Sequence, residues 1–182
     1  MFERDDQRKR TGSRRRVLIG IAVLLGLAAL AAPLVRKPAR WTLSFEGFGP
    51  VRVGMTVAEA GKALKVKLVE HEPPEPCHYA WSEGELPGIA FMVLDGRVVR
   101  VDVTKDVYRA ESGARVGATE EEVRRLHPQV QVERHPYDDD GHYLVLASRD
   151  QRYGMIFETD GKVVTSFRAG EREPVRYIEG CE

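Results

Sequence analysis

The side chains of this sequence that could carry chemistry are five histidines, two cysteines and one acidic cluster. Cys77 directly precedes His78, and a thiolate beside an imidazole is the pairing of a nucleophilic enzyme. Consecutive strand residues point to opposite faces, however, so these two cannot form a dyad directly. His78 and His142 each precede a tyrosine, Tyr79 and Tyr143, and the shared pattern favours a structural role. His71, His127 and His135 stand in no recognisable constellation. Asp138-Asp139-Asp140-Gly141-His142 offers the clustered carboxylates that hard cations take. An EF-hand loop would need an acid where Pro136 stands and a closing Glu where Ala147 stands, so the tract reads as a solvated loop. There is no G-x-S-x-G, no H-E-x-x-H and no phosphate-cradling glycine run. The expectation is no catalytic residue, no metal ligand and no cofactor. The enzyme alternative is a small envelope hydrolase using the histidines and the acidic loop.

Charge and hydropathy say where such a chain works. The 182 residues carry 28 basic and 28 acidic side chains, and the zero sum hides a division. Seven basic and three acidic residues crowd positions 1–16, whereas 41–182 hold 18 basic and 25 acidic residues. An acidic body argues against nucleic acid as a partner, because neutralising phosphates needs clustered Lys and Arg. Residues 17–35 lack any charge, and as a helix they would reach roughly 28 Å, close to the thickness of a bilayer core. The basic flank keeps the N-terminus in the cytoplasm and sends 41–182 across. The expectation is a single-pass anchor in the inner (cytoplasmic) membrane, favoured because the run exceeds a usual signal h-region. The alternative is secretion after cleavage near Ala29-Leu30-Ala31. Ser13-Arg14-Arg15-Arg16 also resembles a twin-arginine export signal. In an oxidising compartment Cys77 and Cys181 are most simply one disulfide, closing a long loop.

The elements that position these residues come twice. Arg52-Val53-Gly54-Met55-Thr56 matches Arg115-Val116-Gly117-Ala118-Thr119 at an offset of 63, and His78-Tyr79 matches His142-Tyr143 at 64. Asp95-Gly96-Arg97-Val98-Val99 matches Asp160-Gly161-Lys162-Val163-Val164 at 65. Thr56 with Glu59, and Thr119 with Glu122, read as capping boxes. The spacing predicts helices over Val57–Lys65 and Glu120–His127, then short runs at Val66–Glu70 and Val130–Glu133. Strands should follow at Cys77–Ser82, Ile89–Leu94, Val98–Val103, His142–Ser148, Met155–Thr159 and Lys162–Arg168, with a last one at Val175–Ile178. The fold class expected is α+β: two tandem repeats, each a short helix plus an antiparallel meander, behind an N-terminal transmembrane helix. The organisation expected is a basic tail (1–16), apolar segment (17–35), linker (36–44), repeat 1 (45–109) and repeat 2 (110–182). One sheet face would take the helices. The other would be at least partly open, and Tyr79, Trp81, Arg100, Asp102 and Tyr143 are the candidate partner contacts.

The stretch Gly47-Phe48-Gly49-Pro50-Val51-Arg52-Val53-Gly54-Met55-Thr56, with its helix and meander, resembles the repeat of the β-lactamase inhibitor protein family. It is also similar to the small lipoproteins of the outer-membrane assembly machinery. Together with Asp95-Gly96-Arg97-Val98-Val99 and Tyr177-Ile178-Glu179-Gly180-Cys181, it looks like uncharacterised exported bacterial proteins. The resemblance implies tandem α+β repeats that bind or inhibit another envelope or extracellular protein without catalysis. A lipoprotein carries a cysteine just after its export signal, and here the nearest is Cys77. Inhibition of a β-lactamase does not carry over, because no matching contact residues are present.

Overall fold

The computed structural model describes residues 41–70 and 75–181. The basic tail, the apolar run 17–35, residues 36–40 of the linker, and His71 lie outside the described residues. No helix among the described residues is long and apolar enough to cross a membrane.

Two helices form where a threonine can satisfy the free amides of a first turn. In α1 (Val57–Leu64) the Thr56 hydroxyl accepts from the Glu59 amide at 3.2 Å, and the Glu59 carboxylate accepts from the Thr56 amide at 2.8 Å. In α2 (Glu120–Leu126) Thr119 and Glu122 repeat this at 3.1 and 2.7 Å. Each box answers two donors that a helix start leaves unpaired. Both glutamates are held below their ordinary value of 4.5, first by the backbone hydrogen bond each accepts. Lys65 in the left-handed region ends α1, and Pro128 follows close behind α2.

The strands are β1 (Thr42–Ser44), β2 (Gly47–Phe48), β3 (Leu68–Glu70), β4 (Cys77–Ser82), β5 (Ile89–Leu94), β6 (Arg97–Val103), β7 (Arg109–Ala110), β8 (Gln131–Arg134), β9 (His142–Ala147), β10 (Tyr153–Thr159) and β11 (Val164–Glu171). Eight of them make one sheet in the order β3-β4-β5-β6-β11-β10-β9-β8, antiparallel throughout. The β5–β6 hairpin turns at Asp95 and Gly96, whose φ of 50° and 75° are what a two-residue turn of this hand requires. The short strands form a second sheet, β2-β1-β7, with β1 parallel to β7.

Period-two alternation splits the large sheet into two faces. Ala80, Phe91, Val101, Ala169, Met155 and Leu146 lie opposite one another across six strands, and all are buried. Ala60 and Leu64 of α1, Val123 of α2, and Leu43 and Phe48 of the small sheet belong to the same core. Phe157 stacks on Phe167 with centroids 5.5 Å apart. Burying such side chains contributes about 1.5–3 kcal/mol each.

These findings correct the expected fold class. Among the described residues the protein is mostly β: one continuous eight-stranded sheet, a small three-stranded sheet and two helices of 8 and 7 residues. The α+β arrangement of helix-plus-meander repeats overstated the helices and missed β1, β2 and β7. Those strands are two or three residues long, too short for alternation to register. The expected strand at Val175–Ile178 is also absent, and Pro174–Arg176 forms a single 3-10 turn instead. Pro174 has no amide to give a ladder, and its carbonyl is taken by a side chain described below.

Thr56→Ala and Thr119→Ala should each cost about 0.5–2 kcal/mol, while Ser or Asp at either site should cost little. Chemical denaturation of the double variant should give a nearly additive loss, because the two caps share no partner.

Candidate functional site

On the face of the sheet away from the helices, Trp81, Ala90, Asp102, Arg168, Ile156, Val145 and Gln131 lie opposite one another across the strands. Strand alternation therefore sends two arginines of the central strands, Arg100 on β6 and Arg168 on β11, to one side. They are 3% and 5% exposed. Buried guanidiniums need acceptors, since an unpaired buried charge is costly. Arg100 donates from Nε to Asp102 at 3.0 Å and from Nη2 to the Tyr79 hydroxyl at 2.6 Å. Its Nη1 donates to the carbonyls of Pro174 and Tyr177 at 2.9 and 2.8 Å. Arg168 donates from Nε to the Val175 carbonyl at 2.8 Å and from Nη1 to Glu158 at 3.0 Å, and lies 5.0 Å over the Tyr143 ring. Its Nη2 is buried without a hydrogen-bond partner among the described residues.

The acceptors that complete this cluster come from the chain's own last residues. Residues 174–181 run as a strap over the polar face. Cys181 is joined to Cys77 of β4 by a disulfide, with Cα atoms 5.3 Å apart. Arg176 grips the Glu133 carboxylate of β8 at 2.8 and 3.0 Å, and Tyr137 donates its hydroxyl proton to Glu179. Val175 packs with Tyr143 and Ile156. Gly154 admits the strap, for a Cβ there would sit 2.7 Å from Val175 Cγ1. Burial pushes the Asp102 carboxyl up from 3.8 despite the opposing charge of Arg100, and pushes the Tyr79 hydroxyl up from 10.0.

The candidate contacts Tyr79, Trp81, Arg100, Asp102 and Tyr143 thus share one face, and the strap covers its centre. Arg100 and Tyr143 are buried, and Tyr79, Arg100 and Asp102 are engaged in the cluster under the strap. Sequence reasoning did not single out Arg168, Glu158 or the carbonyls of 174–177. Its one available signal was an arginine inside an otherwise apolar strand pattern, Phe167-Arg168-Ala169.

The histidines are spread over separate pairs. His78 Nε2 lies 2.9 Å from Glu70 and its Nδ1 2.6 Å from the Glu75 carbonyl. His135 Nε2 lies 3.3 Å from Glu158. His142 Nδ1 meets Glu120 at 2.8 Å, and the Thr159 hydroxyl donates to the same Glu120 oxygen at 2.5 Å. Hydroxyl, imidazole and carboxylate are all present there. The hydroxyl donates to the acid, however, and not to the imidazole that a triad would need as base. Burial raises Glu120, but its bonds from Thr159, His142 and Arg124 outweigh that and hold it below 4.5. His127 Nε2 lies 2.8 Å from the Ser112 hydroxyl, and burial lowers this imidazole from 6.5. Asp138, Asp139 and Asp140 are exposed, with the Asp140 amide donating to Asp138 at 3.0 Å. Among the described residues no three His, Cys, Asp or Glu side chains are grouped to hold a metal ion.

No family model matches this chain, and neither does any curated protein. Among solved structures it is similar to the crystal structure of the uncharacterized protein YfeY from Escherichia coli. The identity is 13%, the match covers 71% of this chain and 99% of that one, and the TM-score is 0.49.

Removing Arg168 takes one of two partners from the half-buried Glu158 carboxylate and leaves the Val175 carbonyl without its donor, so Arg168→Ala should cost about 1–3 kcal/mol. Cys181→Ser should lower the melting temperature and open the strap to proteolysis between Pro174 and Cys181. The Glu120 carboxyl, depressed in the folded state, contributes stability above 4.5 that is lost as pH falls through its folded value. Thermal denaturation should therefore show Glu120→Gln less stable than the parent near about pH 7, the two curves drawing together as pH falls below the ordinary carboxylate value of 4.5.

Proposed function

We propose that this chain is an extracytoplasmic protein-binding or inhibitor-like module, anchored in the membrane by residues 17–35, that performs no chemical step. The observation that carries the reading is the arginine cluster. The most developed polar constellation among the described residues is used to hold polypeptide, with three main-chain carbonyls received by two buried guanidiniums. The Cys77–Cys181 disulfide is consistent with an oxidising compartment outside the cytoplasm. The sequence resemblance to the β-lactamase inhibitor protein repeat, centred on Gly54-Met55-Thr56, supports a binding role.

A second reading, a small envelope hydrolase, is favoured by one contact: Ser112 Oγ at 2.8 Å from an imidazole that burial biases toward its neutral, basic form. A nucleophile beside a base is the first requirement of acyl transfer. His127 has no carboxylate among the partners described for it, in contrast to His78, His135 and His142.

Photo-crosslinking from surface positions of the full-length chain in intact cells should capture one recurrent protein, identified by mass spectrometry. A reporter active only in the cytoplasm, fused after Glu182, should stay silent. Labelling of Ser112 by a fluorophosphonate, abolished in Ser112→Ala, would favour the hydrolase instead.

A further inference from the structure

The large sheet ends at β8, and among the described residues no strand pairs with its outer side. The orientation of its backbone follows from one hydrogen bond. His135 donates its amide to the Gly141 carbonyl, in register with the Arg134↔His142 and Glu133↔Tyr143 pairs. Antiparallel ladders alternate, so Glu133 and Gln131 bond inward to β9 while the N–H and C=O of Val132 and Arg134 point outward. Unpaired edge groups of this kind are a template for another strand.

Both sides of that edge are prepared for company. On the helix side Val132 is 39% exposed and Leu126 of α2 43%, two of only four large exposed apolar side chains among the described residues. On the opposite side β8 borders a groove of about 400 Å³ between β9 and the strap, lined by Gln131, Glu133, Val145, Val175, Arg172 and Arg176. Its charges do not balance. Glu133 is the one carboxylate lining the groove and is already held by Arg176 through both oxygens, whereas the partner of Arg172 is the neutral amide oxygen of Gln151. The Arg176–Glu133 pair also shows, within the groove, which group it receives: a carboxylate taken by a guanidinium.

We infer that the outer edge of β8 is a docking site for an extended segment of a partner protein. The segment adds as a ninth strand, with apolar side chains over Leu126 and Val132 and an acidic side chain in the groove at Arg172. Main-chain bonds supply affinity in this mode, and alternate side chains supply specificity. The inference rests on the protein-binding reading and names the surface and the chemistry of what it binds.

The test uses the full-length chain and short fluorescent peptides with a Val-Glu-Val-Glu-Val centre or its Val-Lys-Val-Lys-Val counterpart. The acidic peptide should bind at least about tenfold more tightly, and Arg172→Glu should reverse that order. Val132→Pro removes an outward amide and should abolish binding without lowering the melting temperature, whereas Val132→Thr should bind like the parent. Equal affinity for the two peptides would overturn the inference. So would binding by a folded Val132→Pro variant, or dimerisation of the chain that Val132→Pro abolishes. In intact cells, a photo-crosslinker replacing Gln131 should capture the partner while one replacing Glu83 should not. Capture from other positions but never from 131 would remove the edge and leave the protein-binding reading standing. Capture from none would remove both.

Discussion

Two positive charges buried on the centre of a sheet set the terms for one side of this molecule. Arg100 and Arg168 project from neighbouring central strands into space that water does not reach, and each can give up to five hydrogen bonds. Side chains on the sheet, Asp102, Glu158 and Tyr79, answer only part of that demand. Three further donors are answered by the carbonyls of Pro174, Val175 and Tyr177, which ties the residues after β11 back across the sheet. The 3-10 turn leaves those carbonyls free of a ladder, and the disulfide to β4 limits how far the segment can stray. The acidic body of the chain and its two buried cations fit together in this way.

The opposite side obeys a different physics. There the sheet is apolar across six strands, and the helices that sit on it each begin with a capping box. Thr56 with Glu59 and Thr119 with Glu122 solve the same local problem twice. Gly54 and Gly117 likewise donate to Val98 and Val164 from equivalent places beside β6 and β11. Those contacts match at an offset of 66 where the bare sequence aligned the hairpins at 65. Irregularities between Met92 and Val93, and between Glu158 and Thr159, shift both ladders at comparable places.

Chemistry on the described surface is dispersed. Three histidines meet three different carboxylates and a fourth meets a serine, so no site gathers nucleophile, base and acid in working order. Edge and groove at β8 are where exposed apolar surface, unpaired backbone and an unbalanced cation coincide.

Local patterns in the sequence were enough for features whose cause is local. The capping boxes, the Asp95-Gly96 turn and the strands Cys77–Ser82 and Ile89–Leu94 each depend on residues within a few positions of one another. The cysteine pair was legible because only two cysteines exist to join. Tertiary structure alone decided that both halves share one continuous sheet, since strand partners 64 to 70 residues apart leave no mark in a local window. It alone decided that residues 174–181 would be a strap: four residues with strand-like alternation lose their strand when buried guanidiniums compete for the carbonyls. The same holds for Tyr79, Arg100, Asp102 and Tyr143. Alternation put them on one face, but whether that face met solvent or the chain's own end depended on charges whose burial no pattern of neighbours records.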